Sequence, residues 1–381
     1  MSQQPIIYLD NNATTQIDER VLETMLPYFT KKYANATSSH LFGLSVNEAV
    51  DFAREQVGDL IGAKPREIIF TSGATEAINL AFKGLKHHKK KHIITAVTEH
   101  KAVLDTCAYM ENCGFEITYL SVNNEGFINL DELEAAITVD TLLVCIMLAN
   151  NETGTLQSIK QISKIAHAKG TLFMTDATQA VGKIPINVSE LGIDLMPLSA
   201  HKFYGPKGIG ALYISAAAKV KLEAQIHGGG QERKMRSSTL NVPGIVGLGK
   251  ACEIASLEMK LDSEKITVLR NYLETELLKI EAAFVNGNSE NRLYNTTNIC
   301  FPGANSEKLI IGLQNIAVSS GSACSAATNK PSYVLKELGL SDNDTLCSIR
   351  FSLSKFTTKD EIDTVIKKVT DLIATLRYNE H

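Results

Sequence analysis

From about residue 66 to residue 215 the chain alternates short apolar runs with segments of helical period, and few architectures accommodate that alternation. The apolar runs cover residues 67–71, 92–97, 115–122, 142–148, 172–175, 195–198 and 210–215. Between them lie stretches such as 158–169, where Ile159, Ile162, Ile165 and Ala166 share one helical face. Strands this short and apolar, separated by helices rather than by tight turns, must be joined by crossovers. The pattern predicts a mostly parallel sheet covered by helices on both faces, an α/β architecture. A long amphipathic helix precedes it, with Val46, Ala49, Val50, Ala53, Val57, Leu60 and Ile61 along its apolar stripe.

The pattern changes near residue 260. A helix rich in Lys, Glu and Leu is predicted over 263–284. A strand at 298–301, a stretch of Gly, Ser and Ala, a strand at 348–353 and a last helix from 358 to about 376 follow. This reads as a second, smaller α+β domain. We expect a large domain over 16–258 and a small one built from 1–15 and 259–381. No internal repeat or low-complexity linker separates them, so the two should pack closely.

Charge and cysteine usage narrow the class. The formal net charge of -4 gives no reason to expect nucleic acid or an anionic membrane as partner. The one basic cluster, His87 to His92, reads as a solvated helix end. No stretch approaches the roughly 18 unbroken apolar residues of a membrane span. The polar residues 1–5 lack the basic start and apolar core of a signal peptide, so a cytoplasmic location is expected. The cysteines, seven in all, form no Cys-x-x-Cys pair. They suggest neither a disulfide framework nor a zinc site, and several sit in apolar runs as small core residues.

Several local features carry chemistry. Ser199-Ala200-His201-Lys202 leaves an apolar run and enters the glycine-rich stretch 204–210. A lysine held there can be positioned and partly desolvated, as a Schiff-base lysine must be, or can be an ordinary surface lysine of a turn. Asp176 stands at the carboxyl end of an apolar strand, the end that faces the ligand crevice of a parallel sheet. Its carboxylate could hold a pyridine nitrogen protonated or cap a helix. Residues 71–76 join a strand to a helix beginning near Thr75, and small residues there expose N–H groups to an anion such as phosphate. The spacing is not that of a P-loop.

Cys324 lies in a run, 318–327, made almost wholly of Gly, Ser and Ala. Such a run offers little to bury a thiol against. It suits a nucleophile that must travel rather than a core cysteine, and its composition predicts a loop that is not ordered at rest. His100 follows the run 92–97 and could stack on an aromatic cofactor, shuttle protons, or be a satisfied surface histidine. Arg350 lies inside an apolar strand and needs an anionic partner, either a substrate carboxylate held bidentately or a structural salt bridge.

These segments, in this order, resemble the cysteine desulfurases of the NifS/IscS type, fold-type I, class V relatives of the aminotransferases. The likeness runs from Tyr8-Leu9-Asp10-Asn11-Asn12-Ala13-Thr14-Thr15 to the segment around Arg350. It includes TEHKAVLDTC (98–107), NNETG (150–154), DATQAVGK (176–183), HKFYGPKGIGALY (201–213) and HGGGQER (227–233). The resemblance implies a fold-type I transferase with pyridoxal 5'-phosphate as cofactor, L-cysteine as substrate and no metal.

It also implies roles. Lys202 would bind the cofactor covalently and move the Cα proton. Asp176 would pair with the pyridine nitrogen and His100 would stack on the ring. Gln179 and Asn151 would bond the ring hydroxyl region. Ala74, Thr75, Ser199 and His201 would bind the phosphate. Thr239 would reach the phosphate of a second subunit, which implies a homodimer with shared active sites. Arg350, helped by Asn35 and Asn151, would hold the substrate carboxylate. Cys324 would accept the sulfur as a persulfide, for delivery to an acceptor protein, an iron–sulfur scaffold among the candidates.

The chain departs from the family pattern in places. Ala34-Asn35-Ala36 stands where relatives usually carry Gly-Asn-Pro, which should loosen that turn. Ser325-Ala326-Ala327 replaces a more frequent Thr-Ser. The sequence ends at His381, where relatives that hand sulfur to a scaffold often extend further, and this departure leaves that docking mode open. Two rival readings share the constellation: an aminotransferase, which has no need of a loop thiol, and a selenocysteine lyase. A non-catalytic scaffold would have lost Lys202, Asp176 or Cys324, and all are present.

Overall fold

The computed structural model describes residues 5–321 and 331–378. A two-residue strand, β1 (Ile7–Tyr8), opens it. The apolar runs follow as β2 (Ile68–Thr71), β3 (His92–Ala96), β4 (Glu116–Leu120), β5 (Thr141–Cys145), β6 (Leu172–Met174), β7 (Leu195–Ser199) and β8 (Gly210–Ile214). They form one sheet in the order β2-β8-β7-β6-β5-β3-β4. Neighbours from β7 to β4 pair in parallel. Only β8 runs against its neighbours β2 and β7. A loop rather than a crossover helix joins β7 to β8, so the two pair antiparallel, and that loop carries Lys202.

Side chains alternate between the sheet's two faces. Phe70, Ile94, Val144, Phe173 and Met196 enter one core, with the helix Leu41–Ile61 over them. Ile69, Ile93, Leu143, Met174 and Leu195 enter the other, under the helices Ala74–Gly84 and Lys101–Asn112. Burial on both faces is why the strands other than the edge strand β4, which is only partly buried, read as unbroken apolar runs.

A second core lies around β9 (Phe284–Val285), β10 (Thr296–Cys300), β11 (Ile316–Ala317) and β12 (Ser348–Ser352). The order β12-β10-β9 is antiparallel, and β1 pairs in parallel with β11. Ile7 and Leu9 pack here with Leu273, Ile299, Phe351 and Ile362.

The helix predicted over 263–284 needs correction. It is the second half of one long helix, Val242–Leu277, and Phe284 belongs to β9. The first half, from Val242 to Ile254, is buried almost all round and so shows no amphipathic period. Its glycines read as breakers but serve packing. A Cβ on Gly249 would stand 2.7 Å from Ala53 Cα, in the helix Leu41–Ile61. Among the cysteines, Cys107, Cys145, Cys252, Cys300 and Cys347 are buried and Cys113 is half-buried, while Cys324 lies outside the described residues. No helix of the described residues is long and apolar enough to cross a membrane.

The close helix contact gives a stability test. Gly249→Ala presses a methyl group on backbone that cannot rotate away, and should lower the unfolding free energy by about 1–3 kcal/mol. Urea unfolding of the two proteins measures it; an unchanged midpoint would mean the helices do not meet this closely.

Candidate active site

The carboxyl ends of the parallel strands converge on one cavity of about 500 Å³. β2 delivers Ser72, Gly73 and the first turn of the helix Ala74–Gly84. Past β3 comes His100, past β5 Asn151, past β6 Asp176, and past β7 His201 and Lys202. Arg350 enters from β12, and residues 12–14 close the remaining side.

Lys202 ends a single 3-10 turn, Ala200–Lys202, directly after β7. Its ammonium Nζ donates to the carbonyls of Asn12 (2.7 Å) and Ala13 (2.9 Å). The next residue, Phe203, is buried against Gly182. That glycine has φ +76, and a Cβ there would lie 2.6 Å from the Phe203 side chain. Only glycine meets both demands at once, so the turn at Gly182 helps to seat the lysine.

Asp176 Oδ1 accepts from the backbone N–H (2.9 Å) and hydroxyl of Thr178. Its other oxygen has no hydrogen bond among the described residues, and the side chain lines the cavity. The capping role and the cavity position therefore coexist. Gln179 follows. Its Nε2 donates to the Asn12 carbonyl (2.8 Å), and its Oε1 accepts from Lys183 Nζ (2.9 Å). Burial, with the charges of Lys202 and Arg350 added, brings the Lys183 ammonium down to about 7.

His100 caps the helix Lys101–Asn112. Its Nδ1 accepts from the Ala102 N–H at 3.1 Å, so the neutral ring carries its proton on Nε2. Burial lowers its affinity for a second proton. Glu99, just before it, is fully buried and accepts from the Met147 N–H at 2.6 Å. That bond links the ends of β3 and β5, and burial pushes this carboxyl well above its usual range. His201 is brought down to about 4 by burial and by the charges of Lys202, Lys207 and Lys183. Its Nδ1 lies 3.1 Å from Thr14 Oγ1.

Arg350 is 1 % exposed. It pairs with Asp10 at 2.6 Å and donates to the Asn151 carbonyl at 2.9 Å. The structural salt bridge thus exists, and the guanidinium lines the cavity as well. Among the described residues, its buried Nε has no hydrogen-bond partner, and neither has Asn151 Oδ1.

Ten of the residues singled out from sequence line this one cavity: Ala74, Thr75, His100, Asn151, Asp176, Gln179, Ser199, His201, Lys202 and Arg350. Asn35 and Thr239 do not. Both are exposed, and Asn35 Oδ1 is bonded to Thr37 in its own loop. Cys324 lies outside the described residues. Sequence reading assigned nothing to Asn12, Thr178 or Lys183. Each sat inside a quoted motif, but only the fold reveals that their partners are site residues.

The residues present fit pyridoxal 5'-phosphate. The first turn of the helix Ala74–Gly84 leaves N–H groups without intrahelical partners, and Ser199 and His201 border them, which suits a phosphate. A primary amine on Lys202, a carboxylate on Asp176 and the unpartnered Asn151 Oδ1 suit an aldehyde, a pyridine nitrogen and a ring hydroxyl.

Comparison with known proteins agrees. A sequence model of the aminotransferase class-V family matches residues 7–365. Cysteine desulfurase IscS of Escherichia coli (strain K12 / DH10B) is 52% identical over 377 residues, covering 97% of this chain and 93% of that protein. Among solved structures, a NifS-like protein superposes with TM-score 0.91 at 39% identity, covering 97% of this chain and 100% of its own. A structure of SspA in complex with cysteine superposes with TM-score 0.82 at 38% identity, covering 92% and 100%.

The neutral state of His201 has a measurable consequence. Its folded pKa, about 4, lies below the unfolded value near 6.5. Protonation therefore favours the unfolded chain, and this stability is lost as pH falls from about 6.5 to 4 and no further below. In cofactor-free protein, the stability of wild type relative to His201→Asn should decline over that window in urea unfolding. A pH-independent difference would contradict the burial of the imidazole.

Proposed function

We infer this protein's reaction from its family: the chain belongs to the class-V aminotransferases and, within them, to the cysteine desulfurases. It is a pyridoxal-phosphate-dependent enzyme that converts L-cysteine to L-alanine and transfers the sulfur onward. The observation that carries the reading is the meeting, in one cavity, of a lysine held on two carbonyls, a carboxylate at a strand end and an anion cradle.

When bound, the cofactor supplies an electron sink for the charge set free at the substrate Cα. Lys202 would hold it covalently through Nζ, which in the protein alone donates to the Asn12 and Ala13 carbonyls. With substrate bound, the free Lys202 Nζ would receive the Cα proton. Asp176 would keep a proton on the ring nitrogen. Arg350 donates to the substrate carboxylate through N–H groups that Asp10 and the Asn151 carbonyl leave over, with Asn151 beside it; Asn35, outside this cavity, could assist only from a second subunit. Cys324 Sγ, as thiolate, attacks the substrate sulfur. The S–S bond of a persulfide forms, the Cβ–S bond breaks with its electron pair going to carbon, and a proton there completes alanine. His100 carries the proton of the thiol.

Burial supports Cys324 as the nucleophile. It raises the thiols of Cys107, Cys145 and Cys252 far above the usual range and that of Cys300 to about 12. A homodimer belongs to the same proposal. Leu26, Phe29, Tyr33, Leu41 and Phe52 form an exposed apolar set near the start of the chain, and Thr239 is exposed and outside the cavity of its own subunit. So do the division into domains at 258/259, a cytoplasmic location and delivery of sulfur to an acceptor protein, for iron–sulfur assembly or another sulfur-requiring use.

Two variants test the assignments. Cys324→Ser should keep the yellow cofactor colour while alanine formation from cysteine drops by more than about 10³-fold. Lys202→Ala should lose the visible band of the resting enzyme. Full turnover in the first, or an unchanged spectrum in the second, would remove that residue from the mechanism.

A further inference from the structure

Lys183 is a buried cation with no part in the mechanism above. It is 5% exposed, as is Gln179, whose Oε1 it meets at 2.9 Å one helical turn back along the chain. The carbonyl of Asn12 can only accept, and the Lys183 nitrogen donates in either protonation state. The two ends of the Gln179 amide are therefore assigned by their partners: Oε1 to Lys183, Nε2 to the carbonyl of Asn12 at 2.8 Å. One hydrogen of Nε2 is used by Asn12, and the other remains to be given.

The same Asn12 carbonyl accepts from Lys202 Nζ at 2.7 Å. Lys183, Gln179, Asn12 and Lys202 thus form one hydrogen-bonded chain beneath the cavity. The charged groups facing it are Lys202 and Arg350, with Asp176 and His201 across the same cavity and Asp10 behind Arg350. A buried ammonium with one amide partner and two cationic neighbours does not serve stability. A methionine would fill the space without the desolvation cost. Its presence calls for a use in the site.

We propose that Lys183 is a positioning residue, fixing and polarising the Gln179 amide so that its NH2 group faces the cavity as a hydrogen-bond donor to the bound cofactor. The inference rests on the cofactor reading given under the proposed function. A donor supplied there stabilises negative charge on the ring oxygen. Polarisation by the lysine behind strengthens that donor, because hydrogen bonds in series reinforce one another. Without Lys183 the amide keeps one of its two constraints, and Oε1 is left buried and unpaired.

The test is a pH titration of the visible absorption band of the enzyme loaded with pyridoxal 5'-phosphate, on wild type, Lys183→Met, Gln179→Leu and the double variant. Loss of the donor should raise the midpoint of the band's titration by about one unit or more in Lys183→Met. The double variant should shift no further than Gln179→Leu alone, because the lysine acts through the amide. An unshifted midpoint in Lys183→Met overturns the proposal. Additive shifts also overturn it, because the lysine would then act on Lys202 through space. Where Lys183→Met fails to fold, Lys183→Gln, which keeps a donor without the charge, is read in its place: a smaller shift in the same direction that vanishes on Gln179→Leu supports the proposal, and an unshifted midpoint overturns it. A wild-type protein that takes up no cofactor and shows no band removes the cofactor reading itself, and this inference with it.

Discussion

Lys202 Nζ rests on the carbonyls of Asn12 and Ala13, and those carbonyls belong to a segment bonded to both halves of the molecule. Toward the second core, Asp10 pairs with Arg350, the Asn11 side chain donates to the Ser352 carbonyl, and the Asn12 side chain donates to Thr296. Toward the large sheet, the same Asn12 side chain donates to the Asn151 carbonyl, and Thr15 is bonded to the carbonyl of His201 and the N–H of Tyr204. Each bond contributes only about 1 kcal/mol net, but a buried polar group left without its partner costs about 1–3. Displacing residues 10–15 would strip partners from both cores and from the lysine together. The orientation of the reacting nitrogen is therefore set by the docking of one core on the other.

The charges around that lysine are unbalanced in a way that the chemistry explains. Lys183, Lys202 and Arg350 act on one another, while Asp176 and Asp10 are the carboxylates at hand. His201 responds by staying neutral, and Lys183 by binding its proton weakly. A cavity that takes a phosphate and an amino-acid carboxylate must carry an excess of positive charge and donors. In the protein alone that excess is a cost to stability. Arg350 shows how the cost is limited: Asp10 and the Asn151 carbonyl satisfy part of its guanidinium, and Nε is left over.

How much of this could be read in advance depended on what each residue's partner was. The buried strands of the large sheet were legible because burial on both faces writes itself as an unbroken apolar run; the edge strand β4, only partly buried, carries Glu116 and Thr118 among its apolar residues. Asp176, His100 and Lys202 were legible because strand ends in a parallel sheet face one crevice. The start of the helix Val242–Leu277 was not, since a segment buried all round has no period and Gly249 there answers to Ala53, a residue far away in sequence. Nor was Lys183. A lysine in a polar turn reads as solvated unless the fold turns it inward, and the only sequence hint was its fixed spacing from Gln179. Asn35 and Thr239 received roles from resemblance alone, and within one subunit neither reaches the cavity.

The distribution of thiols follows from the same physics of burial. A thiol becomes a nucleophile by losing its proton, and an apolar surrounding opposes that loss. Cys145 lies inside β5 and Cys107 under the same face of the sheet, where burial and the nearby carboxyl of Glu99 both raise the thiol. These cysteines can sit close to the reacting centre and stay inert, acting as small core residues. Glu99 itself is held far above its usual range by burial, which weakens its charge as well. The core therefore needs no separate device to protect its sulfur atoms from the persulfide chemistry at the cavity. By sequence, Cys324 differs from these: its neighbours are Gly, Ser and Ala rather than the apolar residues that surround the buried thiols. Among the described cysteines, burial is what holds the sulfur of Cys107, Cys145, Cys252 and Cys300 in the unreactive thiol form.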